Sequence, residues 1–321
     1  MSTTDLTGLA ALPLPDLSGS FPGPFPASPH AGGIEAHLGQ WLRRFPLLGP
    51  PEALGPLCDI VAHGVARTFP TAEPDGLHLC ADLFLWLTAF DDTHGEAAAA
   101  SDPARLVRRI WDCVHLLADG EPSRDAGPFD EALRDLLVRL RTRATTAQYL
   151  RVTGCLRDIL LGSLWEAHHL AEPEHVTSHD YRAIRPHTVF ARTLVAVAEV
   201  VLRYELPEEA RRSEAVRQPE SAVADLAGVL NDLGSYARES AKGVPHSLNL
   251  ITLIARERNC DVPTAAAVVA RLGEERAAAA RHGIGELATG GSAPLAQHAA
   301  ALESIAHSYV WHIDHVRYRK A

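Results

Sequence analysis

The sequence predicts an all-α, single-domain protein, and three observations carry that reading. Stretches rich in Ala, Leu, Arg and Glu place apolar residues three or four apart, the period of a helix with one buried face. Short Pro, Gly and Asp clusters interrupt those stretches as helix ends require. No run of alternating β-branched residues competes, and no linker is long or biased enough to divide the chain.

Residues 1–33 carry Pro13, Pro15, Pro22, Pro24, Pro26 and Pro29 among Gly and Ser, which disfavours helix. A flexible or loosely docked arm is expected there, with one domain over 34–321. Helices are expected in order near 34–45, 51–69, 76–92, 102–118, 128–144 and 146–171, each carrying that periodicity between breakers. The series continues near 177–203 with a break at Pro186, then 218–241, 246–258, 262–283 and 293–319. The segments 95–101, 120–127, 172–177, 205–217 and 284–294 read as loops.

Composition narrows the partners. Hydrophobic residues are 46% and charged residues 22%, ordinary for a soluble globular chain. Forty acidic against thirty basic residues leave a net charge of −10, which argues against nucleic acid as the main partner. No apolar run reaches the ~18 residues of a spanning helix and no signal pattern opens the chain, so no membrane insertion and a cytoplasmic location are the expectations. Cys58, Cys80, Cys113, Cys155 and Cys260 are scattered, without a CxxC, and read as small core residues. The 17 histidines include no HExxH, and the adjacent His168 and His169 diverge around a helix.

Two motifs carry chemistry. In LFLWLTAFDDTHGE an apolar helix runs into Asp91, Asp92 and Glu96, and Asp92 and Glu96 project within about 40° of each other if the turn stays helical. Carboxylates so crowded repel unless a cation joins them, and acids at a helix C-terminus oppose its dipole. Oxygen-only ligands favour a hard ion such as magnesium. His94, inside the motif, reads as a spacer rather than a ligand. In VLNDLGSYARE, Asn231, Ser235 and Glu239 fall at i, i+4 and i+8, within a sector of about 80° on a helix. Arg238 stands beside them, where it can reach a bound anion. Taken singly, the first motif also fits a solvated helix end and the second an ordinary polar stripe.

Together, in this order and separation, DDTHGE and NDLGSYARE resemble the two metal-binding motifs of bacterial class I terpene synthases. The resemblance implies a class I terpenoid synthase helical bundle around a central cavity. It implies three Mg2+ ions held with the substrate diphosphate by Asp91, Asp92 and Glu96 and by Asn231, Ser235 and Glu239. Counted back from Asn231, the family's diphosphate-sensing Arg falls on Arg185, and the linker and effector positions after it fall on Thr188 and Val189. Arg317 and Tyr318, with Trp311 before them, match the family's C-terminal Arg-Tyr pair, so Arg185, Arg238, Arg317 and Tyr318 are the implied diphosphate contacts. The chain departs from the pattern at Pro186, at Val189 where Gly is usual, and at His169 where an Arg is often found.

The implied reaction is ionisation and cyclisation of a linear isoprenyl diphosphate, farnesyl diphosphate being favoured over geranyl and geranylgeranyl diphosphate, with a homodimer suggested by the same analogy. Helical steps back from Asp91 put Phe84, Leu87 and Thr88 on the cavity side. Phe90, Trp165, Phe190, Tyr236 and Trp311 are further aromatic candidates for the cavity or its cation, Phe190 and Trp311 foremost, with core packing as the ordinary alternative for each. Two other readings stay open. A chain-elongating isoprenyl transferase shares the chemistry but typically carries two Asp-rich motifs, where this chain has an Asn/Ser/Glu set. A non-catalytic helical relative that binds lipid or a partner is the other.

Overall fold

The computed structural model describes residues 12–49, 55–95, 102–120, 126–170, 173–241 and 248–313, without the side chains of 119 and 237–241. Among the described residues there are thirteen α-helices and no strand. In chain order they are α1 (Ala31–Arg44), α2 (Gly55–Thr68), α3 (Pro74–His94), α4 (Pro103–Asp119), α5 (Pro128–Arg143), α6 (Thr146–His169) and α7 (Ser178–Thr188). Then follow α8 (Ala191–Val201), α9 (Glu208–Arg212), α10 (Glu214–Ala241), α11 (Leu250–Arg258), α12 (Val262–Thr289) and α13 (Ala293–Ile313). None of the described helices is long and apolar enough to cross a membrane.

Local chemistry sets many of these ends. Thr145 and Thr177 form capping boxes with Gln148 and Asp180 at the starts of α6 and α7, and Asp102, Asn249 and Asp261 cap α4, α11 and α12 with their side chains. Gly120 and Asn259 follow α4 and α11 in the left-handed conformation that closes a helix C-terminus.

Three boundaries differ from the sequence expectation, each for a packing reason. The break in the 177–203 stretch is not at Pro186, which lies buried inside α7, but at Val189 and Phe190. The expected loop at 205–217 contains α9 and the start of α10, which begins early enough to place Pro219 within it. Helix α12 continues through Gly283 to Thr289, because the missing side chain at Gly283 is where the Pro219 ring of α10 packs, 3.0 Å from a Cβ built there.

The Pro-rich segment also packs. Over residues 12–30, Leu17 and Phe21 are buried, Phe21 to 1% exposure, and the Phe21 and Phe25 rings meet His307 of α13 at 5.6 and 4.7 Å. Ser28 N–H donates to the Ala66 carbonyl of α2 at 2.8 Å. Prolines lower the entropy of the free chain, so a few buried contacts, about 2 kcal/mol for one Phe, suffice to dock the segment.

Helix α10 is the central strut and packs on α7, α8, α12 and α13. Helix α3, against α1, α2, α5 and α8, is buried almost all round. A second apolar cluster joins α7, α10, α11 and α12 through Tyr181, Val229, Leu233, Leu250, Ile251 and Val269. These contacts fix the C-terminal ends of α3 and α7 and the middle of α10, where the candidate residues lie.

Candidate active site

Over its last turns α3 is buried at Leu83, Leu85, Trp86, Leu87, Ala89 and Phe90. Phe84 and Thr88, one turn apart, are only half-buried, and Asp91 and Asp92 are exposed. Phe84, Thr88 and Asp91 thus form a stripe of partial to full exposure along one face of an otherwise interior helix. Of the expected wall residues, Phe84 and Thr88 lie on that stripe and Leu87 lies in the core, at 3% exposure.

Gly95 ends α3, its N–H donating to the Asp91 carbonyl at 2.8 Å. A Cβ at Gly95 would stand 2.6 Å from that carbonyl oxygen and 2.7 Å from Asp91 Oδ1, so the absent side chain leaves the space the carboxylate uses. His94 turns inward, its ring between Phe90 and Phe129 at 5.0 and 5.1 Å. Burial and the nearby Arg109 hold its pKa down at about 4, so the imidazole is neutral and packs as an aromatic. Glu96 lies outside the described residues.

On α10, Ser235 is 1% exposed and its Oγ has no hydrogen-bond partner among the described residues. Asn231, one turn earlier on the same face, accepts from Arg185 Nη2 through Oδ1 at 2.6 Å. An amide oxygen and an unsatisfied buried hydroxyl aligned on one face suit a hard divalent cation, and a buried hydroxyl left unpaired otherwise costs about 1–3 kcal/mol. The Arg238 and Glu239 side chains, and all of Arg317 and Tyr318, lie outside the described residues.

Arg185 projects from the last turn of α7 into a polar frame. Its Nε donates to Asp232 Oδ1 at 2.8 Å, its Nη1 to Thr188 Oγ1 at 3.4 Å, and Nη1 stands 3.8 Å from Glu166 Oε1 of α6. Its stem passes over Gly228 of α10, where an added Cβ would meet Cγ at 3.0 Å. Asp232, 1% exposed, also accepts from the Tyr181 hydroxyl at 3.1 Å and from the Leu250 N–H at 2.9 Å, tying α7, α10 and α11 together. Neither Asp232 nor Glu166 is among the residues the sequence motifs single out. Asp232 had a signal in standing beside Asn231, whereas Glu166 had none, since only the fold brings α6 to α7.

The turn after Arg185 is held from three sides. Thr188 donates to Glu166 Oε1 at 2.7 Å, and its methyl occupies the space left by Gly162 of α6. The Val189 carbonyl accepts from the Tyr309 hydroxyl of α13 at 2.7 Å. Phe190 adopts φ 65°, a left-handed conformation costing a non-glycine residue about 1–2 kcal/mol, and its ring meets Phe84 edge-on at 5.5 Å. That ring contact returns about 0.5–1.5 kcal/mol. Phe190 thus pairs with Phe84, one turn from the partly exposed Thr88 on α3.

Trp311 and His169 have neighbours of their own. The Trp311 ring packs on α2, 4.3 Å beneath the Arg67 guanidinium. His169 stacks on Trp165 at 4.1 Å in a separate cleft of about 320 Å³, which α7 lines with Asp180, Ala183 and Ile184. Tyr181, Arg185 and Thr188 point roughly 100° away around the same helix.

Exposed carboxylates at the end of α3, a guanidinium held by Asn231 and Asp232, and the Phe84–Phe190 ring pair are groups equipped to draw off an anionic leaving group and face the cation left behind. The chain belongs to terpene synthase family 2, whose C-terminal metal-binding region matches residues 82–279. It is an enzyme, a bacterial class I terpene synthase acting on isoprenyl diphosphates.

Among its relatives is the (12E)-labda-8(17),12,14-triene synthase of Streptomyces anulatus, 58% identical over 319 residues that make up 99% of each chain. The enzyme of that name from Streptomyces cyslabdanicus is 49% identical, covering 96% of this chain and 94% of its own. A crystal structure of a mutant SVS_A2 protein from ancestral sequence reconstruction has a TM-score of 0.85 at 20% identity, covering 95% of this chain and 89% of its own, a likeness of fold.

Proposed function

We propose that this enzyme converts a twenty-carbon, already bicyclic allylic diphosphate of the labdane type into a labdatriene and inorganic diphosphate. The observation carrying this reading is the 58% identity, end to end, with a protein named for making labda-8(17),12,14-triene. It replaces the linear fifteen-carbon farnesyl diphosphate favoured on family resemblance alone. The labdane rings and their 8(17) alkene are remote from the conjugated diene at the end of the side chain. That diene needs no ring closure. It requires cleavage of the allylic carbon–oxygen bond, with the electron pair leaving on the diphosphate, and loss of one proton from the side-chain carbon next to the allyl cation.

Asp91, Asp92 and Glu96 on one side and Asn231, Ser235 and Glu239 on the other would hold Mg2+, three ions by family analogy. When bound, they would neutralise charge developing on the leaving group. Arg185 exchanges its contacts with Asn231 and Glu166 for the phosphate oxygens, leaving Asp232 to hold Nε, and Arg238, Arg317 and Tyr318 complete the anion's hydrogen bonds. Phe84 and Phe190 offer ring faces or edges to the allyl cation, each face worth about 0.5–2 kcal/mol, while Thr188 and Val189 form the turn that reports the arrival of diphosphate to the cavity. The wall formed with Thr88 and the core around it excludes water, so proton loss outcompetes capture.

Incubation with magnesium and, separately, a bicyclic labdane-type diphosphate, geranylgeranyl diphosphate and farnesyl diphosphate tests this reading by gas chromatography of the products. A labdatriene from the bicyclic substrate alone is expected. Turnover of farnesyl diphosphate only, or a requirement for isopentenyl diphosphate, would refute it.

A further inference from the structure

The residues assigned so far account for the diphosphate and the cation, but not for what fixes the turn between them. We infer that Tyr309 is a positioning residue for the reaction, aiming the Val189 carbonyl at the helix break; this rests on the ionisation chemistry proposed above.

Helix α7 ends at Thr188, and the Val189 and Phe190 N–H groups close it by donating to the Arg185 and His187 carbonyls, both at 3.0 Å. Val189, the residue after it, has its carbonyl bonded to the Tyr309 hydroxyl at 2.7 Å, and Tyr309 is buried at 7% exposure. The next residue, Phe190, sits at φ 65° without being glycine, so the chain there would relax unless neighbours held it. Its ring is the one that meets Phe84. A change in the direction of the Val189 carbonyl therefore rotates the peptide leading into Phe190 and moves the ring paired with Phe84. Tyr309 reaches this point from α13, 120 residues away in sequence, so the last described helix is tied directly to the turn that follows Arg185.

The role differs from general support of α13. The neighbouring Ser308 makes the same kind of bond, its hydroxyl donating to the Gly64 carbonyl of α2 at 3.1 Å, away from the break. Ser308→Ala is therefore the control for Tyr309→Phe, which keeps the ring and removes one donor.

The test measures kcat, KM and product composition of both variants on the bicyclic diphosphate, with amide hydrogen exchange over 186–194. Tyr309→Phe should lower kcat about tenfold with KM within threefold of wild type. It should also divert product to other alkene isomers or an alcohol and speed exchange across the break; Ser308→Ala should do none of these. Unchanged kcat and products in Tyr309→Phe, or an equal loss in Ser308→Ala, overturns the positioning role while leaving the reaction standing. A wild-type protein inert toward every allylic diphosphate overturns the reaction itself, and with it a role for Tyr309 in that reaction, while exchange still reports whether the hydroxyl clamps the turn.

Discussion

The Ser235 hydroxyl is buried on the same face of α10 as Asn231 and has no hydrogen-bond partner among the described residues. A group kept at a cost to folding and proposed to hold a metal ion gives a sharp prediction. Ser235→Ala should leave Tm unchanged or raise it slightly, since an unpaired buried hydroxyl contributes no stability. It should weaken magnesium binding in the presence of pyrophosphate about tenfold or more, as followed by calorimetry. A variant that loses stability but keeps its metal affinity would show that Ser235 is packing. This face was legible in the sequence because helical spacing alone aligns residues four apart. Arg185 was legible only through resemblance. Asp232 stands out only as the neighbour of Asn231 and Glu166 not at all, because the partners that give them their roles lie on other helices, 47 and 22 residues away in sequence.

Between residues, local signals decided some boundaries and tertiary contacts the rest. The helices that begin near 146 and 177 are legible from their periodicity, whereas Pro186 has a local reason to break a helix and does not break α7. The actual break at Phe190 has no such signal, since an aromatic at φ 65° is selected by its neighbours and not by its own propensity. The docking of the Pro-rich segment is the converse case. Its composition opposes helix, and composition does not report that Phe21 and Phe25 meet the His307 ring.

That contact has a pH dependence. Burial lowers the His307 pKa, Glu303 opposing and Arg281 adding to the shift, so the docked state holds a neutral ring more strongly than the free chain does. The docked state is then most stable above about pH 6.5, the unperturbed value, and loses stability as pH falls below it. Limited proteolysis within 12–30 should be faster at pH 5.5 than at pH 7.5, and His307→Leu should remove most of the difference. Equal cleavage of the wild type at both values would mean that the ring contact does not hold the arm.

At the scale of the whole molecule, the polar frame around Arg185 closes on itself. Arg185 of α7, the candidate anion contact, is bonded to Asn231 of α10, a candidate metal ligand, through the oxygen a cation would need. Neither group can engage its ligand fully while it holds the other, so cation and anion should stabilise the fold together more than either does alone. A ligand pair at a hundredfold excess over its dissociation constant adds about 2.7 kcal/mol to unfolding. For a chain of this length that is a rise in Tm of roughly 4 °C. Magnesium alone, or pyrophosphate alone, should give a small fraction of that rise. In Arg185→Gln the Asn231 oxygen is relieved of its cationic donor, so magnesium alone should shift Tm more than in the wild type while added pyrophosphate contributes little further. If magnesium alone gives the whole shift in the wild type, the Arg185–Asn231 bond does not couple the two ligands, and the frame is simply open to metal.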